Sequence, residues 1–443
     1  MTGSPFSSKS EWNNTGAFAA IKRDRSVVTW GDPGYGGDSH AVSHLINSNV
    51  CHVFSSDRAF AALKQNGSVV TWGNQDRGGN SAIVANQINS DVINIFSSQK
   101  AFAALKKDGS VVTWGGKENG GDSSDVFKKL RNNVKHLFSS TSAFAAIKSD
   151  GSVVSWGYPD HGGDCSSVFA LIANDVSTIS ATDYAFAALK NDGSVVTWGD
   201  KNNGGDISQV SSLLKADVVQ IYSNNCAFAA LKRDGSVVAW GDKEWGGDTS
   251  RVSSLLKADV VEIYSNSYAF AALKRDGSVV TWGNENNGGD SSSVAKMLAG
   301  NIAKIYSTHD SFVAVTNNGI LVTWGGYRTC KESSSIISSI SKSCSKIFTN
   351  YYAVCAVLSD GSIATWGYPE YGGDSSNVSS DLKGNISHIY GNARSFAAQK
   401  NDGSVVTWGD NERGGDSSLV SSELSSNVRL LASPFTEKSV FNS

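Results

Sequence analysis

AFAALKNDGSVVTWGDKNNGGD, from Ala185 to Asp206, decides the fold, because the same text returns at a fixed interval along nearly the whole chain. Ten tryptophans, Trp30, Trp72, Trp114, Trp156, Trp198, Trp240, Trp282, Trp324, Trp366 and Trp408, stand 42 residues apart with no insertion or deletion between them. One unit is copied ten times, and each copy is numbered here by its tryptophan, Trp30 marking the first. What every copy keeps belongs to the framework. Function is to be sought where the copies differ.

A single unit, Val218 to Asp259, reads as a β-rich run (VVQIYS), a polar link (NNC), a second run (AFAALK), an Asp-Gly turn and a third run (SVVAWG). That is a three-stranded antiparallel meander. Asp-Gly supplies the positive φ values of a type I′ hairpin turn, and Asn66-Gly67 and Asn318-Gly319 supply the same chemistry. The first copy has Asp24-Arg25 instead. Arginine there costs about 1 kcal/mol relative to glycine, which predicts a frayed or differently shaped first turn. After each third run come four variable residues, then Gly-Gly-Asp, then a stretch such as Ser291 to Leu298 with Val294 and Leu298 one helical turn apart. This connector reads as one or two turns of helix, with Asp290 placed to cap it.

The fold class is therefore all-β: ten 42-residue units, each a meander plus a short helical connector. A three-stranded sheet cannot cover both its faces alone, so successive units must stack. The chain enters with a second strand (Ala17 to Lys22) and leaves with a first strand (Val428 to Ser433), so its end can complete its beginning. Closure into a β-propeller removes two bare sheet edges, and an open superhelical solenoid is the alternative. The expected division is an N-terminal tail at 1–16, one ten-repeat domain at 17–433 and a C-terminal tail at 434–443.

The run from second strand through Trp-Gly to the glycine pair, ALKNDGSVVTWGDKNNGG at Ala188 to Gly205, resembles the regulator-of-chromosome-condensation propeller family. In unit size it looks most like that family's compact bacterial branch with three-stranded blades. The resemblance covers nearly the whole chain and implies a propeller fold and a role in binding proteins, as scaffold, exchange factor or inhibitor. It carries over no catalytic residue. Ten units exceed the family's usual seven, and the Asp and helix after the glycines depart from its pattern.

The bulk numbers narrow the functional classes. Lys and Arg number 38 against 41 Asp and Glu, a net charge of −3, and no repeated position collects basic residues. Nucleic acid and anionic membranes are thus poor partners. The opening MTGSPFSSKSEWNN lacks an apolar signal run, and no apolar stretch long enough to span a bilayer follows, so the chain reads as soluble and cytoplasmic. Six cysteines fall at six different frame positions, which speaks against a disulfide scaffold or zinc array and leaves a local Cys330–Cys344 bridge as the alternative.

Several motifs look chemical and have plainer readings. The series Asp38, Asp122, Asp164, Asp206, Asp248, Asp290, Asp374 and Asp416 suggests a calcium ring, but calcium takes about six to eight oxygens and no second acid recurs beside it. GGDS has no fixed histidine partner, and the glycine pairs lack the lysine of a phosphate loop. No cofactor, metal or catalytic group is expected, and the protein reads as a non-enzyme.

Two positions vary where the framework does not. Five residues after each framework tryptophan stand Tyr35, Arg77, Asn119, His161, Asn203, Trp245, Asn287, Thr329, Tyr371 and Arg413; in the link before the second strand stand Arg58, Lys100, Ser142, Tyr184, Cys226, Tyr268, Asp310, Tyr352 and Arg394. Strand direction puts both sets at the end opposite the Asp-Gly turns. Tyr, Trp and Arg dominate interface hot spots. The expected partner-binding residues are Tyr35, Arg77, His161, Trp245, Tyr371 and Arg413 with Arg58, Tyr184, Tyr268, Tyr352 and Arg394. The partner is expected to be another protein; the alternative is a lectin that stacks glycan on the same aromatics. In the eighth copy Gly-Gly-Asp becomes Cys330-Lys331-Glu332, which predicts a reshaped connector.

Overall fold

A computed structural model describes residues 12–331, 333–340, 344–432 and 438–439. Most of the two expected tails, with the matching Ser-Pro-Phe triplets that the sequence carries at 4–6 and 433–435, and Glu332 lie outside these residues. The chain packs as two compact units, one built on Glu118–Tyr327 and one on Glu11–Lys107 with Arg328–Ser443. The first holds the sheets of the fourth to eighth repeats and is called the middle unit. The second, the terminal unit, holds those of the first to third, ninth and tenth repeats.

Every repeat but the first is the expected antiparallel meander, and the ninth sheet gains a fourth strand, Lys438–Ser439, beside Cys344–Thr349. In the fifth, Val176–Ala181, Ala185–Lys190 and Val195–Gly199 run in sequence order, with Phe186 opposite Trp198. Both faces of the second strand are buried. Ala185, Ala187 and Leu189 pack toward the sixth repeat, whose Phe228, Ala230 and Trp240 pack back, and Leu214 of the connector closes the layer. The first repeat takes its missing strand from the far end of the sequence: Val428–Ala432 pairs with Ala17–Lys22, Ala20 opposite Leu431.

The hairpin turn differs from the expected type. Lys232 N–H donates to Ser236 O (2.9 Å) and Gly235 N–H to Lys232 O (2.9 Å), so the loop has three residues, a type I turn closed by a bulge glycine. Within it only Gly235 has positive φ (79°). Asp234 accepts from the backbone and hydroxyl of Ser236, which hold its carboxyl below the usual range. Arg25 adopts the same backbone (φ 68°) and the same bond, to Lys22 O at 2.9 Å. The predicted frayed first turn is therefore wrong. Arg25 is held in place because its carbonyl accepts from Val50 N–H (3.0 Å) of the next repeat, as Gly235 accepts from Val260 (3.1 Å).

The connectors are mostly one or two turns of helix, as expected, and chiefly 3-10, from Ser292–Val294 to Ser124–Leu130. Their cap needs correction: before Ser292–Val294 the cap residue is Ser291, whose side chain makes no cap bond. Asp290 sits one residue earlier and accepts from Ser292 N–H (2.8 Å) in an Asx turn, which orders the chain before the helix. Longer helix appears in the eighth repeat, Tyr327–Lys331 and Ser333–Ile340, where the glycines are lost. None of the six cysteines is in a disulfide, so the alternative Cys330–Cys344 bridge is not formed.

The glycine pair is a socket for the following repeat. Phe228 and Trp240 stack within the sixth repeat (centroids 5.2 Å, planes 23° apart), and Trp240 Nε1–H donates to Gly204 O of the fifth (3.1 Å). A Cβ on Gly204, at φ +106°, would lie 2.5 Å from the Phe228 ring; one on Gly205 would lie 2.3 Å from Gly199 O. The ninth repeat shows the converse. Cys330 stands in the place of the first glycine, Val354 stands in the place of phenylalanine, and Trp366 Nε1, though buried, has no partner among the described residues.

Candidate partner-binding face

The main chain brings the two variable positions together at the end opposite the hairpin turns. Directly after Trp-Gly, Asp200 N–H donates to Tyr184 O (3.0 Å), Asp242 N–H to Cys226 O (3.0 Å) and Asp410 N–H to Arg394 O (3.1 Å). Beneath each link lies a buried polar side chain. Asn224 Oδ1 accepts from Cys226 N–H (3.0 Å) and Ala227 N–H (2.7 Å), while its Nδ2 donates to Trp245 O (2.5 Å). Asn350 does the same for Tyr352, Ala353 and Tyr371, and Ser140 Oγ bridges Ala143 N–H and His161 O.

Sequence reasoning passed over these anchors. Their signal was visible in the frame: Asn14, Ser56, Ser98, Ser140, Thr182, Asn224, Asn266, Thr308, Asn350 and Asn392 are all short side chains carrying oxygen, always two residues before the link position. They fix the backbone of both variable positions and leave the side chains free to differ.

A second main-chain ladder crosses from repeat to repeat one residue before the link. In the middle unit Thr141 N–H donates to Asp183 O, Asp183 to Asn225, Asn225 to Ser267 and Ser267 to His309, over 2.8 to 3.4 Å. In the terminal unit Thr15 donates to Asp57 (3.1 Å) and Asp57 to Gln99 (3.2 Å).

All eleven expected binding residues are half-buried, and they meet in pairs. In His161–Tyr184, Trp245–Tyr268, Tyr35–Arg58 and Tyr371–Arg394 the loop residue of one repeat reaches the link residue of the next, whereas Tyr371–Tyr352 and Arg77–Asp57 lie within one repeat and Arg413–Tyr35 joins two loop residues. In the middle unit His161 meets Tyr184 edge-on (4.8 Å) and Trp245 meets Tyr268 (4.6 Å). In the terminal unit the Arg58 guanidinium lies 4.6 Å over the Tyr35 ring and Arg413 lies 4.1 Å over the same ring. Tyr371 meets Tyr352 (5.3 Å) and carries Arg394 at 5.0 Å. Arg77 makes a close ion pair with Asp57. Polar pairs follow the same rule, as Asn119 Nδ2 donates to Ser142 Oγ (2.8 Å).

Burial shapes the titration of this face. Desolvation lifts Asp57 to about 6 against the pull of Arg77, Arg58 and Lys100. It lowers His161 despite Asp183, Asp160 and Asp200, and it lowers His309, which packs edge-on against Tyr268 (5.0 Å), to about 4 despite Asp183. Near neutral pH both rings are uncharged. The face thus presents aromatic edges, amides and guanidinium groups side by side, which suits recognition by contact.

No protein-family model matches the chain. No curated protein matches it either. Solved structures do. The CRINKLY WD40 ectodomain of the Arabidopsis thaliana receptor kinase ACR4 is 18% identical over 60% of this chain and 93% of its own, with TM-score 0.32. Prp20p of Saccharomyces cerevisiae, a protein with binding properties to Gsp1p and histones, is 15% identical over 63% of this chain and 83% of its own, with TM-score 0.33. The computationally designed Ika8 protein is 14% identical over 72% and 96%, with TM-score 0.30. Superpositions this loose define no residue correspondence. Among the described residues no helix is long and apolar enough to cross a membrane.

Proposed function

We propose that this chain is a non-enzymatic scaffold or accessory subunit that binds another protein through the face carrying Tyr35, Arg58, Arg77, His161, Tyr184, Trp245, Tyr268, Tyr352, Tyr371, Arg394 and Arg413. One observation carries the reading: residues that differ from copy to copy converge in side-chain pairs on a backbone anchored by a buried Asn, Ser or Thr. Pre-positioned aromatic groups bind with little loss of side-chain freedom. A closed propeller spanning 17–433 belongs to the same proposal, supported by the C-terminal strand in the first sheet.

The test exchanges pairs for those of sibling repeats, so that the fold is kept. One variant carries His161→Asn with Tyr184→Ser, borrowed from Asn119 and Ser142, and Trp245→Asn with Tyr268→Cys, borrowed from Asn203 and Cys226. Both chains are first shown by circular dichroism to melt alike. A stoichiometric protein retained from the native source by wild type and lost with the variant supports the reading. Retention of the same proteins by both chains refutes it for these pairs, and discrimination on a glycan array alone transfers them to sugar recognition.

A further inference from the structure

The connectors of the ninth and tenth repeats enclose a cleft of about 670 Å³ within the terminal unit. Its walls include Glu370, Tyr371, Asp374, Asp410 and Glu412, four carboxylates and a ring, and one cation, Arg394. The guanidinium of Arg394 lies over Tyr371 with Nη1 3.6 Å from Asp410 Oδ2. Behind it Tyr368 stacks on Tyr371 (5.8 Å, planes 20° apart) and Tyr352 packs against both. Asp374 and Asp410 each spend one oxygen on the backbone, accepting from Ser376 and Glu412 N–H, and Glu370 and Glu412 stand exposed at the rim. The corresponding junction after Trp245 keeps the aromatic ring and Glu244, but has Asn284 and Asn286 where Asp410 and Glu412 stand.

A cation is drawn to an aromatic face and to carboxylates around it, most strongly where water is partly excluded. Arg394 already shows how a guanidinium sits there. Its side chain is 42% exposed and unbranched, so it can swing away without opening the core beneath. We propose that this cleft takes a lysine or arginine side chain presented by the partner protein, on Tyr371 and among the four carboxylates, in the place that Arg394 holds while the partner is absent. The proposal rests on the protein-binding reading and specifies the charge of what is bound.

The test is fluorescence anisotropy of labelled deca-lysine and deca-glutamate peptides with the full chain, at low and high salt. Deca-lysine binds wild type and deca-glutamate does not. Arg394→Ala tightens deca-lysine several-fold by removing the competing cation, whereas Glu370→Gln with Glu412→Gln weakens it by about tenfold, the loss expected for two partly screened attractions. Circular dichroism confirms that each variant folds. Weaker or unchanged deca-lysine binding by Arg394→Ala overturns the proposal. So does deca-glutamate binding that disappears with Arg394→Ala, since Arg394 is then the recognition group. If neither peptide binds while the sibling-pair variant still loses its protein, the cleft proposal falls and the protein-binding reading stands.

Discussion

Replacing Gly204 by alanine tests the socket that joins one repeat to the next. The residue sits at φ +106°, and a Cβ there would stand 2.5 Å from two ring carbons of Phe228, whose side chain is fully buried. A non-glycine residue at such a φ costs roughly 1–2 kcal/mol, and overpacking a full core site costs about 1–3 kcal/mol more. The expected loss is about 2–5 kcal/mol, felt at the junction of the fifth and sixth repeats. Gly300→Ala is the control, because its φ is ordinary and the nearest atom, Asp276 O, would be 3.6 Å from the new carbon. Stability in a repeat array is largely a sum of local terms, so a melting temperature reports the loss without locating it. Amide exchange at Ala230 and Leu231, compared with Ala146 and Ile147, reads the junction directly. Gly204→Ala accelerates the first pair at least about tenfold and spares the second, since about 1.4 kcal/mol is a factor of ten. Exchange indistinguishable from that of Gly300→Ala would refute the socket.

Three further outcomes follow from the geometry. Asn224→Ala strips three buried hydrogen bonds and lowers stability by about 2–4 kcal/mol, while Asn224→Ser, which restores the residue type of Ser140, loses about 1 kcal/mol or less; urea midpoints of the two variants decide this, and equal losses would deny the anchor its role. Arg25→Gly relieves a positive φ and raises stability by up to about 1 kcal/mol; a lowered midpoint would show that Arg25's contact with Cys51, not backbone strain, dominates there. His309 falls from 6.5 to about 4 on folding, so the unfolded chain binds more protons between those values and stability is lost as pH drops through that window. The loss is on the order of 3 kcal/mol. In His309→Asn, which copies Asn225, the acid limb flattens between pH 6.5 and 4; an unchanged limb in thermal melts counts against it.

What the sequence revealed depended on how far apart the deciding atoms lie. Strands such as Ala185–Lys190 and Val195–Gly199 were legible because alternation and a turn signal are local. Arg25 was misjudged because the cost of its φ is local, whereas the bond from Val50 that holds it comes from the next repeat. Asp290 was placed one residue too far in, since an Asx turn and an N-cap share the same composition. The glycine pair read as a plain connector; its reason is a phenylalanine 24 residues onward, beyond any turn rule. The variable face was legible as two positions at one end. Their pairing, Trp245 with Tyr268 of the following repeat, was not, because it needs to be known which neighbour a loop leans on.

The strand Val428–Ala432 in the sheet of Ala17–Lys22 has a consequence for biosynthesis. As the polypeptide leaves the ribosome, each repeat from the second onward can form its meander from residues made together. The first cannot finish, because its outer strand is made only after the meander of the tenth. A message cut short anywhere upstream of Val428 yields a product whose opening strand keeps unpaired amides on one side, recognisable to chaperones and proteases. Synthesis of all ten repeats is thereby written into the architecture as a seam in the first.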